Sequence, residues 1–183
     1  MTQTQRILVL DNSVATTGAY RSALAMAQAL QDVVEMQFVL PKAPDLHSEL
    51  ASLGFRTHIL PMVEIGRSLA RLVTYFPALI VNGFRLRDIL LRERVDVLVA
   101  NDYYNLLPTV VRLMGWRGRI LTIVRLLPAG QQPLLNRIWI AAMRFASDQV
   151  IAVSNAVAAQ LPRNVRARVL YFPVGRALEA IPF

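Results

Sequence analysis

The sequence predicts an α/β domain, a doubly wound and mainly parallel Rossmann-like sheet of about seven strands with helices on both faces. Three observations predict it. Apolar runs of five to eight residues recur with helix-length segments between them, the alternation that right-handed crossovers turn into a parallel sheet. Several runs are uninterrupted, RILVL, VDVLVA and QVIAV among them, as strands covered on both faces require. The length of 183 residues suits one domain of ordinary size.

The strands are expected at 6–11, 33–40, 55–60, 95–100, 119–124, 149–153 and 168–172. The first helix should span 18–31, with Tyr20, Ala23, Leu24, Ala27 and Leu30 on one face and the two alanines allowing close approach to the sheet. The second should open on Asp45 as N-cap, bury Leu46, Leu50 and Leu53, and end before Gly54. Residues 64–93 form the longest helical candidate, with Leu69, Leu72, Val73, Phe76, Leu79, Ile80, Gly83, Leu86 and Leu90 as its stripe. Pro77 should kink or split that helix near Val73. Further helices are expected at 106–114, 133–145 and 155–161, the middle one opened by Pro133 and faced by Leu134, Ile138, Ala141 and Phe145. No repeat or low-complexity tract interrupts this order.

Composition narrows the function classes. No segment reaches the roughly 18 apolar residues of a spanning helix; the longest relevant stretch, 72–84, has 13 residues, contains Pro77 and is flanked by arginines. The N-terminus enters a short strand without an export signal. The absence of cysteine excludes a disulfide scaffold and a thiolate metal site. The net charge of +8 is uneven: residues 1–100 carry 10 basic and 9 acidic side chains, and 101–183 carry 10 arginines against Asp102, Asp148 and Glu179. Such a field favours anionic partners, although a basic-aromatic alternation suited to nucleic acid is missing, and no nucleic-acid partner is expected.

In an open parallel sheet the ligand crevice lies beyond the carboxyl ends of the strands. After the first strand, 11–18 form a polar loop that includes Asn12, Thr17 and Gly18 and feeds a helix N-terminus, a place for an anion or a hydroxyl-rich ligand, or an ordinary turn. Its single glycine does not make a dinucleotide or Walker loop. After the fourth strand, Asp102 can orient a sugar hydroxyl, act as a base or cap a helix, and Tyr103 and Tyr104 can stack on a sugar or pack. After the fifth, Arg125 can meet phosphate or carboxylate, or stand in a solvated loop. After the sixth, Ser154 reads as an N-cap. His47 and His58 lack partners at metal-ligand spacing, so neither a metal site nor a histidine base is expected.

The order of these pieces, with VDVLVANDYY, RILTIVRLLP, SDQVIAVSNAV and RVLYFPVG, resembles the N-terminal, acceptor-side domain of a GT-B glycosyltransferase of family 4. The match spans about 6–176 and is most specific at 147–156. The resemblance implies one half of a GT-B fold, with 1–176 as the acceptor-binding domain, 177–183 as the start of a crossover and the donor domain absent. It further implies a cytoplasmic, metal-independent sugar transferase of envelope or extracellular polysaccharide or glycolipid synthesis. Asn12, Thr17, Gly18, Asp102, Tyr103 and Arg125 would line the acceptor cleft, while the nucleotide-sugar donor would be held by the other domain. No other cofactor is expected, and the acceptor would be a saccharide or lipid-linked.

Three departures stand out. Thr17-Gly18 replaces a usual glycine pair, Arg125 stands where the family commonly has histidine, and the chain stops at Phe183. The chain alone is therefore expected to be inactive, with an open face that promotes self-association. A free-standing domain that binds a small anion without catalysis is the alternative. Arg67, Arg71, Arg85 and Arg87 around the 72–84 stretch are candidates for contact with an anionic membrane surface, the other reading being a helix that covers the core.

Overall fold

The computed structural model describes residues 4–62, 69–125 and 133–171, with the side chains of 69–74 and 133 excepted. Seven strands form one wholly parallel sheet in the order β3-β2-β1-β4-β5-β6-β7. They are β1 (Gln5–Leu10), β2 (Val34–Leu40), β3 (Arg56–Ile59), β4 (Val97–Ala100), β5 (Arg119–Val124), β6 (Gln149–Ala152) and β7 (Ala167–Val169). The helices between them are α1 (Gly18–Leu30), α2 (Pro44–Ser52), α3 (Leu69–Arg92), α4 (Leu107–Leu113), α5 (Pro133–Ala146) and α6 (Asn155–Gln160). The predicted fold class is the one observed. β1 lies inside the sheet, and β4 holds the middle place. The last strand is shorter than expected, and the proposed crossover at 177–183 lies outside the described residues.

The uninterrupted apolar strands are buried because both faces are covered. Val9, Phe38, Val97 and Val99 meet Tyr20, Ala23 and Ala27 of α1 and Leu46 and Leu50 of α2. Leu8, Leu10, Val39 and Leu98 meet Leu86, Ile89 and Leu90 of α3 and Leu107 and Val111 of α4. A third cluster joins Tyr103, Val124, Val150 and Ala152 to Trp139, Ile140 and Met143 of α5. α3 and α4 approach closely at Gly83, where an added Cβ would lie 2.3 Å from Val110 Cγ1.

Four local expectations need correction. α2 begins at Pro44, whose preset φ suits the first turn; Asp45 therefore sits inside that turn rather than at the cap, and Leu53 is exposed. α3 runs unbroken through Pro77, so of the two expected outcomes, a kink or a split near Val73, the split does not occur. Its buried line is Tyr75, Asn82, Gly83, Leu86, Ile89 and Leu90, so the expected Gly83, Leu86 and Leu90 are inside and Leu79 is half-buried, whereas Phe76 and Ile80 face outward. The side chains of Leu69, Leu72 and Val73 lie outside the described residues. α5 turns Trp139, Ile140, Met143 and Ala146 inward and leaves Leu134, Ile138 and Phe145 exposed. In both helices apolar residues surround most of the circumference, so period alone offers two stripes. The face that inserts is the one whose residues complete the sheet's clusters.

Candidate functional site

The carboxyl ends of β1, β4 and β5 open into one cavity of about 1050 Å³, at the upper end of the roughly 300–1,000 Å³ usual for small-molecule sites. Asn12, Thr17, Gly18, Asp102 and Arg125, read from the sequence as separate post-strand positions, all line it. Parallel strands with adjacent carboxyl ends bring them together.

Each is held by local structure. Asp11 caps the end of β1, its N–H donating to Val39 O at 3.0 Å and its Oδ1 accepting from Ser13 N at 2.7 Å. This turns the loop toward α1. Thr17 is the α1 N-cap, its Oγ1 accepting from Tyr20 N at 3.1 Å. Tyr20 fixes that end of the helix by donating from its hydroxyl to Glu49 Oε2 at 2.8 Å, and burial with this carboxylate beside it pushes the phenol pKa up. Gly18 opens α1, and an added Cβ there would meet nothing within 4 Å. The position therefore does not need glycine for packing.

The floor is organised by Asn101, which the sequence reading passed over although it follows β4 directly. This residue is 2% exposed. Its Nδ2 donates to the Asp11 carboxylate and to Ala19 O, and its Oδ1 accepts from Arg125 Nε at 3.0 Å and Nη2 at 2.6 Å. Asn101 thus fixes a carboxylate and a guanidinium at once. Burial lowers the Arg125 pKa, and Asp11 and Asp102 act against that shift. Asn105 continues the polar line, donating to Asn12 Oδ1 at 2.7 Å and accepting from Leu107 N at 2.9 Å. The N-cap position of α4 is Leu106, which has no side-chain cap; Asn105, one residue earlier, supports the helix start through Leu107 N, and Asp102 does not cap it.

Asp102 Oδ1 accepts from Tyr103 N at 2.7 Å. Burial pushes its pKa up to about 7, opposed by that N–H and by Arg125. At neutral pH its carboxyl can therefore act as donor or acceptor. Tyr103 does not line the cavity: it is buried, and its hydroxyl donates to Asn136 Oδ1 at 3.1 Å. Tyr104 takes the place on the wall, its ring centroid 5.0 Å from that of Trp139. Adjacent residues leave the backbone in different directions, and sequence alone does not say which of the pair turns inward.

A further wall was not legible as a site. Met62, Tyr75, Ala78 and Leu79 come from α3 and the segment after β3. Asn82 donates to Pro61 O at 2.7 Å and so ties that segment to α3. Both histidines serve structure, His47 Nε2 lying 3.0 Å from Pro41 O and His58 Nε2 3.0 Å from Gln37 Oε1. Ser154 Oγ accepts from Val157 N at 3.2 Å, the predicted cap of α6. Among the described residues no three acidic, histidine or cysteine side chains form a metal site, and no helix is long and apolar enough to cross a membrane. Arg67 and the Arg71 side chain lie outside the described residues. Arg85 is exposed, whereas Arg87 is half-buried with its Nε lacking a hydrogen-bond partner.

The fold has many relatives among solved structures. HepE from Anabaena, in complex with UDP and glucose, matches with a TM-score of 0.69 and 18% identity over 92% of this chain and 44% of its own. MurG from Acinetobacter baumannii matches with 0.60 and 12% over 90% of this chain and 45% of its own. A sucrose-phosphate synthase chain from Thermosynechococcus elongatus matches with 0.61 and 15% over 96% of this chain and 92% of its own. The chain thus spans less than half the length of HepE and MurG, and its fold is that of a GT-B half-domain. No curated protein sequence matches it. The family model for Glycosyltransferase Family 4 matches residues 16–176, the stretch holding Thr17, Gly18, Asn101, Asp102 and Arg125; the chain belongs to that family.

Proposed function

We propose that this chain is the acceptor-binding half of a sugar-nucleotide-dependent glycosyltransferase acting in envelope or extracellular polysaccharide or glycolipid synthesis. The observation that carries this reading is the convergence of Asn12, Thr17, Gly18, Asp102 and Arg125 on one cavity at the carboxyl edge of the sheet. In the reaction an acceptor hydroxyl attacks the anomeric carbon of the donor sugar. The new glycosidic C–O bond forms as the bond to the nucleoside diphosphate breaks, and the hydroxyl proton passes to the departing diphosphate. This chain supplies the acceptor side: Asp102 orients the hydroxyl, while Asn12 and the loop at Thr17-Gly18 position the acceptor body. A second domain holds the donor, a nucleotide sugar of the kind seen in HepE, and neutralises the leaving diphosphate. Among the described residues that line it, the floor sets Asp11 and Asp102 against Arg125, a balance ill-suited to a small free anion.

The chain by itself should release no nucleoside diphosphate from a panel of sugar nucleotides and saccharide or lipid acceptors. Joined to a donor domain it should transfer sugar. In that joined protein Gly18→Val should lower turnover at least tenfold while leaving Tm unchanged, because the new side chain enters open cavity space rather than the core. Turnover by the isolated chain, or full activity of the variant, would overturn the assignment.

The protein is further proposed to work at the cytoplasmic face of a membrane as a peripheral protein. Phe76, Ile80 and Phe84 are 58%, 51% and 60% exposed along one side of α3, next to the exposed Arg85. Apolar side chains ringed by guanidinium groups suit an anionic lipid surface. Arg67 and Arg71 would extend that basic border, while the half-buried Arg87 would contribute less. Flotation with liposomes should increase with the anionic lipid fraction and fall with salt. Recovery indifferent to both rejects membrane attachment. The same apolar side would favour self-association away from a membrane.

A further inference from the structure

We infer that the acceptor is an amphiphile, its hydroxylated head on the polar floor and its apolar body along the wall made by Met62, Tyr75, Ala78 and Leu79. The inference rests on reading this cavity as the acceptor site, and it chooses a lipid-linked acceptor over a free saccharide. The cavity is chemically divided. Asp11, Asn12, Asn101, Asp102, Asn105 and Arg125 put hydrogen-bonding groups at the strand ends. The α3 side offers a thioether, an alanine methyl, a leucine and the ring of Tyr75, whose phenol is pushed up to about 12 by burial; its one amide, Asn82, is buried and donates to Pro61 O.

A free sugar carries hydroxyl groups around its whole rim. Seated in this cavity, those turned toward Met62, Ala78 and Leu79 would lose water and gain no partner, which weakens binding. An alkyl or isoprenoid chain has the opposite requirement, since removing it from water is favourable in proportion to the apolar area covered. At about 1050 Å³ the cavity has room for a sugar and the first part of such a chain. The outer side of α3 then continues the same chemistry. Phe76, Ile80 and Phe84 are all more than half exposed there. A chain that outgrows the cavity and passes α3 meets apolar surface bordered by the exposed Arg85.

The test uses the 183-residue chain and a series of n-alkyl glucosides from methyl to octyl, each below its micellar concentration. Trp139 lines the cavity and Trp116 lies in a separate core cluster, so changes in tryptophan emission report occupancy of the site. Affinity should rise by up to about fourfold per added methylene, the equivalent of roughly 0.8 kcal/mol for each buried CH₂. Ala78→Asp, which puts a carboxylate on the apolar wall, should flatten the series. A unchanged Tm would verify that the variant is folded. Equal affinity across the wild-type series overturns the inference and leaves the acceptor site standing. A rise that persists in Ala78→Asp also overturns it, because the chain then lies elsewhere. Failure of every glucoside to bind overturns both this inference and the acceptor reading.

Discussion

Asn101→Ala should destabilise the fold by about 3–4 kcal/mol and lower Tm by roughly 10 °C, far more than its size suggests. The side chain is 2% exposed and connects Asp11 to Arg125. Truncation removes hydrogen bonds to two charged groups, each worth about 1.5–3 kcal/mol. It also leaves those groups in a partly dry environment with one partner fewer, a situation that costs more than the bonds contribute in net terms. Water entering from the cavity offsets part of the loss, which is why the expected figure lies below the sum of the upper values. Asn12→Ala is the control. Asn12 is half-buried and accepts one bond, from Asn105, so its loss should cost no more than about 1 kcal/mol. Urea unfolding of the two variants distinguishes the cases, and equal midpoints would show that Asn101 does not organise the floor.

The contrast between these asparagines shows how far the sequence is legible. Alternating apolar runs specify the seven strands because a doubly covered parallel strand tolerates few polar residues. Post-strand positions then follow from the sheet's own geometry, and five of the six candidate cleft residues share the cavity. Asn101 precedes Asp102 at the same strand end, yet its importance lies in two partners distant in sequence, Asp11 and Arg125. Linear order does not rank such a residue above its neighbour. Met62, Tyr75, Ala78 and Leu79 are harder still, since they come from a helix and its approach, and a helix can present any of its sides to the cavity. α3 and α5 illustrate the same ambiguity: each carries two apolar stripes, and only packing decides which is buried. Tyr103 and Tyr104 differ by one position and divide between core and cavity.

Asp102→Asn should be more stable than the wild type at pH 8 and nearly equal to it at pH 4. The folded carboxyl has a pKa pushed up to about 7 from an ordinary 3.8, with burial as the main cause. Between those values the folded protein holds a proton that the unfolded chain has released. Stability therefore falls as pH rises through that window, because the unfolded state binds fewer protons. Each pH unit spent there is equivalent to about 1.4 kcal/mol, which sets a ceiling of about 4 kcal/mol on the loss by pH 8. Asparagine keeps an oxygen to accept from Tyr103 N and cannot ionise, so its curve lacks this descent. The other carboxylates are common to both proteins, and the difference between their urea-unfolding curves isolates Asp102. Parallel curves from pH 4 to pH 8 would place the carboxyl in water and withdraw it as a group poised near neutrality. A gap that widens in the variant's favour means that the cavity retains an energetically costly carboxylate. Packing does not require that charge, since asparagine fills the same volume; in the proposed acceptor site a substrate hydroxyl would add a hydrogen bond to those that the carboxylate already accepts from the Tyr103 and Tyr104 N–H groups.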